Sequence, residues 1–224
     1  NNFDNAANPL EGAAWVDHAT GNNVHSTATN IVDADADGDK EFTLFAQAET
    51  DGDMAKLRYS EMANGQNQRF IEFSMKLDVD FSSLPQWMTF GLSSLFQVDI
   101  RTVDLTPGDT DDSGAPNWPT VIKLAGTGLE DVTTDSFATS YTLTKSQMEA
   151  LGSYEMAFVI NAQGEAKLTM TPKNPADPTI ELAGKYNNWH LAGVGLSPEI
   201  FAGGGWVKDA RGWVDNVEVN ATVR

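Results

Sequence analysis

The chain is 224 residues long, carries 14 basic against 32 acidic side chains for a formal charge of -18, and has no cysteine. Such a charge repels nucleic acid and anionic membrane surfaces and attracts cations, and a chain without cysteine builds its fold without disulfides. No apolar run approaches the ~18 residues of a membrane span, so neither nucleic-acid binding nor membrane insertion is expected.

The first informative stretch in chain order is DADADGDKE, Asp33 to Glu41, with acids at every second position and a glycine at Gly38. Oxygen ligands at alternate positions followed by a sharp-turn glycine match the first half of a calcium loop. Counting from Asp33, the twelfth position is Leu44 and not the bidentate glutamate of an EF-hand, and the chain beyond alternates like a strand. The expectation is a structural calcium ion at a strand-entry turn, held by Asp33, Asp35, Asp37 and Asp39; the alternative is an unliganded acidic turn. Hard oxygen donors without histidine or cysteine favour calcium over zinc or copper. A second acidic loop, GDTDDSG with Asp109, Asp111 and Asp112, offers another cation site.

KEFTLFAQAE and AKLRYSEM follow as short strand signals. The clearest strand is FIEFSMKLDVDF, where Ile71, Phe73, Met75, Leu77, Val79 and Phe81 alternate with Glu72, Ser74, Lys76, Asp78 and Asp80. Period two is the signature of a half-buried β-strand. Further strands are expected in QWMTFGLSSLFQVDIR, PTVIKLAG, YEMAFVI, AKLTMT, WHLAGVGL and WVDNVEVNATV, with YEMAFVINAQGEAKLTMT forming a hairpin. A short helix is expected near 144–151, where Thr144 caps, Gln147 holds the capping-box position and Gly152 ends the run. Strands separated by turn clusters such as ETDGD, NPADP and NAQG predict an all-β fold, an antiparallel β-sandwich of jelly-roll type, with 1–224 as one domain.

The strand layout and the last strand, GWVDNVEV, resemble the concanavalin-like jelly rolls of carbohydrate-binding modules and polysaccharide lyases. That resemblance implies that Asp215 on the last strand helps hold a structural calcium near the N-terminal segment, with Asp4 as a partner. A narrower likeness is to alginate-lyase jelly rolls, which carry R-S-E-L, Q-I-H and Y-F-K-A-G-x-Y motifs. Here RYSEM supplies Arg58 and Glu61, but the two stand three apart, so a regular strand turns them to opposite sides. Gln97-Val98-Asp99 stands near the Q-I-H position without its histidine, and KYNNWHLAGVGL echoes the third motif. β-Elimination needs a group to neutralise the uronate, a base for the C5 proton and an acid for the leaving oxygen. On this likeness Arg58, Tyr186, His190 and Gln97 are the catalytic candidates. Other enzyme signatures, G-x-S-x-G, G-x-G-x-x-G after a strand, H-E-x-x-H and a cysteine nucleophile, do not occur, nor does the E-x-D-x-x-E motif of jelly-roll glycosidases.

Several tryptophans sit in loop-like contexts: Trp118 in PNWP, Trp189 in YNNWH and Trp206 in GGGWVKDARGW. An aromatic face stacks on a sugar while neighbouring polar side chains bond its hydroxyls, so Trp118, Trp189 and Trp206 are the candidate ligand-binding residues. Gly203, Gly204 and Gly205 are expected to keep the last loop mobile or to let backbone approach a ligand. The expectation is a secreted, calcium-stabilised jelly roll that binds an extracellular polysaccharide or another extracellular ligand, as a monomer or part of a larger secreted chain. The alternatives are a polysaccharide lyase and a purely structural adhesin domain.

Overall fold

The computed structural model describes residues 15–17, 29–32, 41–47, 53–59, 70–80, 87–92, 95–102, 119–130, 139–187, 189, 198–204 and 209–223. In chain order the strands are β1 (Trp15–Asp17), β2 (Thr29–Val32), β3 (Glu41–Gln47), β4 (Asp53–Tyr59), β5 (Phe70–Asp80), β6 (Trp87–Leu92), β7 (Phe96–Thr102) and β8 (Thr120–Gly126). There follow β9 (Leu129–Glu130), β10 (Ser140–Leu143), the helix α1 (Lys145–Ala150), β11 (Ser153–Ile160), β12 (Glu165–Pro172), β13 (Ile180–Tyr186), β14 (Pro198–Gly204) and β15 (Asp209–Val223).

These strands form two sheets, a front sheet of seven in the order β1, β4, β14, β6, β7, β8, β10 and a back sheet of eight in the order β2, β3, β15, β5, β11, β12, β13, β9. Among the described residues every strand pairing is antiparallel. Neighbours distant in sequence, such as β14 between β4 and β6, make this a crossed sandwich and not a meander.

Alternation does the sorting. On β5, Phe73, Met75, Leu77 and Val79 are buried while Glu72 and Lys76 are exposed, as the period-two pattern predicts. Met156, Phe158 and Ile160 of β11 and Leu168 and Met170 of β12 continue this inner face, and Met88, Phe90, Val98, Ile100, Ile122 and Leu124 line the front sheet's side of the core. Phe90 and Phe158 meet edge to face across the two layers, ring centroids 6.5 Å apart at 89°. Each large apolar side chain sealed here contributes roughly 1.5–3 kcal/mol of burial free energy.

The helix begins as its capping box requires: the Gln147 amide donates to Thr144 Oγ1 at 3.3 Å and the Thr144 amide to Gln147 Oε1 at 2.9 Å. The expected hairpin is also present, with β11 and β12 in register from Tyr154 opposite Pro172 to Ile160 opposite Ala166. Its turn needs Gly164 at φ +79°, where an added Cβ would meet the Tyr186 carbonyl oxygen at 2.5 Å.

Three expectations are corrected. QWMTFGLSSLFQVDIR is a hairpin, β6 and β7, paired from Trp87 opposite Arg101 to Leu92 opposite Phe96. ELAGKY, unassigned from the sequence, belongs to β13, and PEIFAGG is β14. Gly203 and Gly204 therefore lie in a strand and not in a loop: Gly203 pairs with Met54 on one side and Trp87 on the other. Gly205 lies outside the described residues, as does WHLAGVGL beyond Trp189.

Candidate functional site

The front sheet presents a polar outer face whose floor is enclosed. On β7 the core-facing residues are Phe96, Val98 and Ile100, so Gln97, Asp99 and Arg101 point outward. The same parity turns Thr89 of β6 and Lys123 of β8 outward, since Met88, Phe90, Ile122 and Leu124 fill the core. Thr89, Asp99 and Lys123 form one cross-strand row.

Outward positions on a sheet are ordinarily wet, yet Thr89 and Asp99 are buried, the Asp99 side chain only 3% exposed. A buried carboxylate requires charge partners and hydrogen bonds. Asp99 has Arg101 Nη2 at 3.4 Å and Lys123 Nζ at 3.6 Å, and both cations stay nearly half exposed at 44% and 46%. Asp99 is thus fixed from two sides while its partners reach solvent. Arg101 and Lys123, held in this way, present donors to solvent in a set geometry, so little ordering cost remains when a polar group meets them.

The adjacent row runs Arg58, Glu199, Gly91, Gln97 and Ala125 across β4, β14, β6, β7 and β8. Arg58 and Gln97, two of the catalytic candidates, therefore occupy one row of one sheet, three strands apart. Gly91 between them, at φ +145°, contributes no side chain, and a Cβ there would meet the Phe96 carbonyl oxygen at 2.5 Å. This leaves a low point in the row beside Gln97.

Tyr186 is elsewhere. It ends β13 in the back sheet, is 1% exposed, and its ring meets Phe96 edge to face at 5.0 Å. Its hydroxyl donates to the Ala125 carbonyl at 2.8 Å, with the Gln97 carbonyl at 3.4 Å. Burial pushes its pKa well above the ordinary tyrosine value. This phenol ties the back sheet to the front sheet through the core and lies away from the outer face that carries Gln97.

Trp189 is corrected in the same way. It is fully buried, packs edge to face on Phe96 at 5.1 Å, and donates its indole N–H to the Ile71 carbonyl at 2.9 Å. With both ring and donor occupied, Trp189 is a core residue and offers no face to a ligand. Its YNNWH context reads as a loop because polar neighbours flank it, but Gly164 beneath the ring, 3.0 Å from the Trp189 Cβ when given a Cβ of its own, lets the indole close the hairpin end of the core.

Trp118, Trp206, His190, Asp33, Asp35, Asp37 and Asp39 lie outside the described residues, as do Asp4, Asp109, Asp111, Asp112 and Glu61. Asp215 stands on β15 opposite Asp78 of β5, and Asp78 is itself opposite Glu155 of β11. Asp78 is buried against Lys173 Nζ at 2.6 Å.

The sequence reading passed over Asp99, Arg101, Lys123 and Thr89. The alternation of FQVDIR already places Gln97, Asp99 and Arg101 on one face. What it withholds is the partner strand: only the register, Asp99 opposite Lys123, assembles the cluster.

No protein-family model matches the chain, and no curated protein matches it in sequence. Solved structures do. Lectin I-B4 from Griffonia simplicifolia, in its metal-free form, superposes with a TM-score of 0.59 over 99% of this chain and 97% of its own, at 8% identity. The fold is the concanavalin-like jelly roll. The winged bean acidic lectin, complexed with methyl-α-D-galactose, is similar with a TM-score of 0.52 over 94% of this chain and 98% of its own, at 10% identity. A family 7 alginate lyase aligns at 16% identity over 88% of this chain and 85% of its own, with a TM-score of 0.42.

Proposed function

We propose that this jelly roll is a secreted glycan-binding domain that holds an extracellular polysaccharide on the outer face of its front sheet. The observation that carries this reading is the enclosed carboxylate of Asp99, clamped by Arg101 and Lys123 in a row with Thr89 and beside Gln97. Sugar hydroxyls both donate and accept. Gln97 offers an amide that does both, and Arg101 and Lys123, held in place by the enclosed Asp99 carboxylate, add donors that reach solvent. The solved lectins of this fold, one in complex with methyl-α-D-galactose, support a carbohydrate as the ligand class.

The test is a glycan array followed by affinity measurement on the best ligand. Gln97→Ala is expected to weaken binding about tenfold, the size of one lost hydrogen bond to a charged or well-fixed group. Unchanged affinity in Gln97→Ala would move the site off this face.

One observation favours a second reading, β-elimination of a uronic-acid polymer: the register brings Arg58 into the same row as Gln97. In that case Arg58 neutralises the uronate carboxylate, and the proton-transfer groups are not Tyr186, whose hydroxyl is occupied in the core. A rise in absorbance near 235 nm on alginate, glucuronan, pectate or ulvan, abolished by Arg58→Ala, would establish it; a flat trace across the panel leaves the binding reading.

The calcium ion belongs to the proposal as a structural element, held by Asp33, Asp35, Asp37 and Asp39, with Asp215 contributing to a second position. An ion bound only by the folded state raises stability by about 2.7 kcal/mol at a hundredfold excess over its dissociation constant. Chelation should therefore lower the melting temperature by several degrees, and added calcium should restore it where magnesium does not. A melting curve indifferent to chelator would remove calcium from the account.

A further inference from the structure

The back sheet carries a hollow of its own. It is a cavity of about 490 Å3 at one end of the outer face, lined by Glu72 and Ser74 of β5, Val159 and Asn161 at the end of β11, and Asn220 and Thr222 of β15. Its volume falls within the roughly 300–1,000 Å3 of small-ligand sites.

The hollow has a cause in the strands. β15 and β5 run in register through Thr222 opposite Glu72, then slip so that Val223 faces Phe70. The residue left over is Ile71, and its carbonyl takes the indole N–H of the buried Trp189 at 2.9 Å. A bulge of this kind bends the strand and re-aims the side chains beside it. Here the bend is pinned from within by a core tryptophan.

The lining is also fixed. Asn161 Oδ1 accepts from the amides of Gln163 and Glu165 at 3.0 Å each, and its Nδ2 donates to Glu165 Oε2 at 2.7 Å. Asn220, on the cavity wall, donates from Nδ2 to Glu218 Oε1 at 2.7 Å. Val159 sits among these polar groups at 42% exposure, one of the most exposed large apolar side chains among the described residues. None of the lining residues is cationic, and Glu72 places a carboxylate at the edge.

We infer that this hollow is a second saccharide site, on the sheet opposite the front face, that takes a neutral sugar unit. Amide and hydroxyl groups bond the ring hydroxyls, Val159 lies under the apolar C–H face of the ring, and Glu72 rejects a uronate by like-charge repulsion. A domain with one site on each sheet bridges two glycan strands, or grips one strand twice, and gains avidity without a larger interface at either site. The inference stands on residues separate from Asp99 and Gln97.

The test is a titration followed by amide NMR, using neutral tetrasaccharides of glucose, of mannose and of galactose, and an alginate tetrasaccharide as the anionic probe. One neutral probe should shift the backbone amides of 72–74, 159–161 and 220–222 and the side-chain amides of Asn161 and Asn220. Val159→Glu and Asn220→Ala, both at exposed positions, should weaken that response at least about tenfold, while Asp99→Asn leaves it intact. The alginate probe should not move these signals. Silence of these amides toward every neutral probe up to about 10 mM, a concentration at which even very weak sites fill, would overturn the inference. So would shifts that survive Val159→Glu and Asn220→Ala together. Loss of the response in Asp99→Asn would assign it to the front face instead.

Discussion

The two outer faces of this sandwich use the same charged side chains for opposite ends. On the back sheet, Lys76 pairs with Glu155 at 3.6 Å and Lys167 with Glu181 at 2.7 Å, and both members of the first pair are 48% exposed. On the front sheet, Asp99 meets Arg101 and Lys123 at similar distances, but the carboxylate itself is enclosed. Distance does not separate these pairs; solvent does. A hydrated pair contributes little, because water screens it and each partner loses rotamer freedom. An enclosed carboxylate is committed to its partners, so the residues around it hold a fixed arrangement. The Lys76–Glu155 and Lys167–Glu181 pairs are solvated surface, whereas Asp99 on the front sheet, held from two sides, and Asp78 on the back sheet, held by Lys173, are enclosed.

Trp189 gives the largest effect, because it lies in the core that separates the two faces. Trp189→Ala should cost about 3–5 kcal/mol in urea unfolding, and Trp189→Phe about 1–3 kcal/mol through the orphaned Ile71 carbonyl. A cost within about 0.5 kcal/mol, typical of an exposed residue, would return Trp189 to the surface role suggested by its sequence context.

The contrast between the faces is tested most plainly by paired truncations. Asp99→Ala should destabilise by about 1–3 kcal/mol, the half-exposed Arg101 and Lys123 being partly rescued by water. Glu181→Ala should stay within about 0.5 kcal/mol. Raising salt should leave the Asp99 effect largely in place and erase that of Glu181. Equal costs for the two would break the comparison.

The smallest effect near neutrality belongs to Tyr186, and it grows with alkalinity. Burial raises its pKa in the folded state, so the fold holds this proton more tightly than the unfolded chain does. The stabilisation is complete below the ordinary tyrosine value of about 10 and is lost as pH rises beyond it. Melting temperature should fall more steeply above about pH 10 in the parent than in Tyr186→Phe. Parallel profiles would mean that the hydroxyl is not enclosed.

Local pattern carried much of the fold. The alternation of FIEFSMKLDVDF sorts β5 into core and surface, and Thr144 with Gln147 announces the start of α1 before any contact is known. The candidate site was less legible, because it is made by pairing. Asp99 and Lys123 are far apart in sequence, and neither strand's pattern names the other as its neighbour; the same holds for Arg58 and Gln97. Tyr186 and Trp189 misled for a related reason. Both follow polar or glycine-rich stretches, and what buries them is supplied by distant segments, the carbonyls of Ala125 and Ile71 and the ring of Phe96. β14 was hidden because its glycines read as a flexible loop, whereas ladders on both sides hold it extended.

The most direct test of the front face as the ligand-binding surface is the affinity of Asp99→Asn for the best glycan, measured on protein whose melting temperature has been checked. Asn keeps the shape of the side chain but removes the charge that Arg101 and Lys123 hold in place. Affinity should fall at least about tenfold with the fold intact. A folded Asp99→Asn protein that binds as tightly as the parent would contradict the assignment of this face.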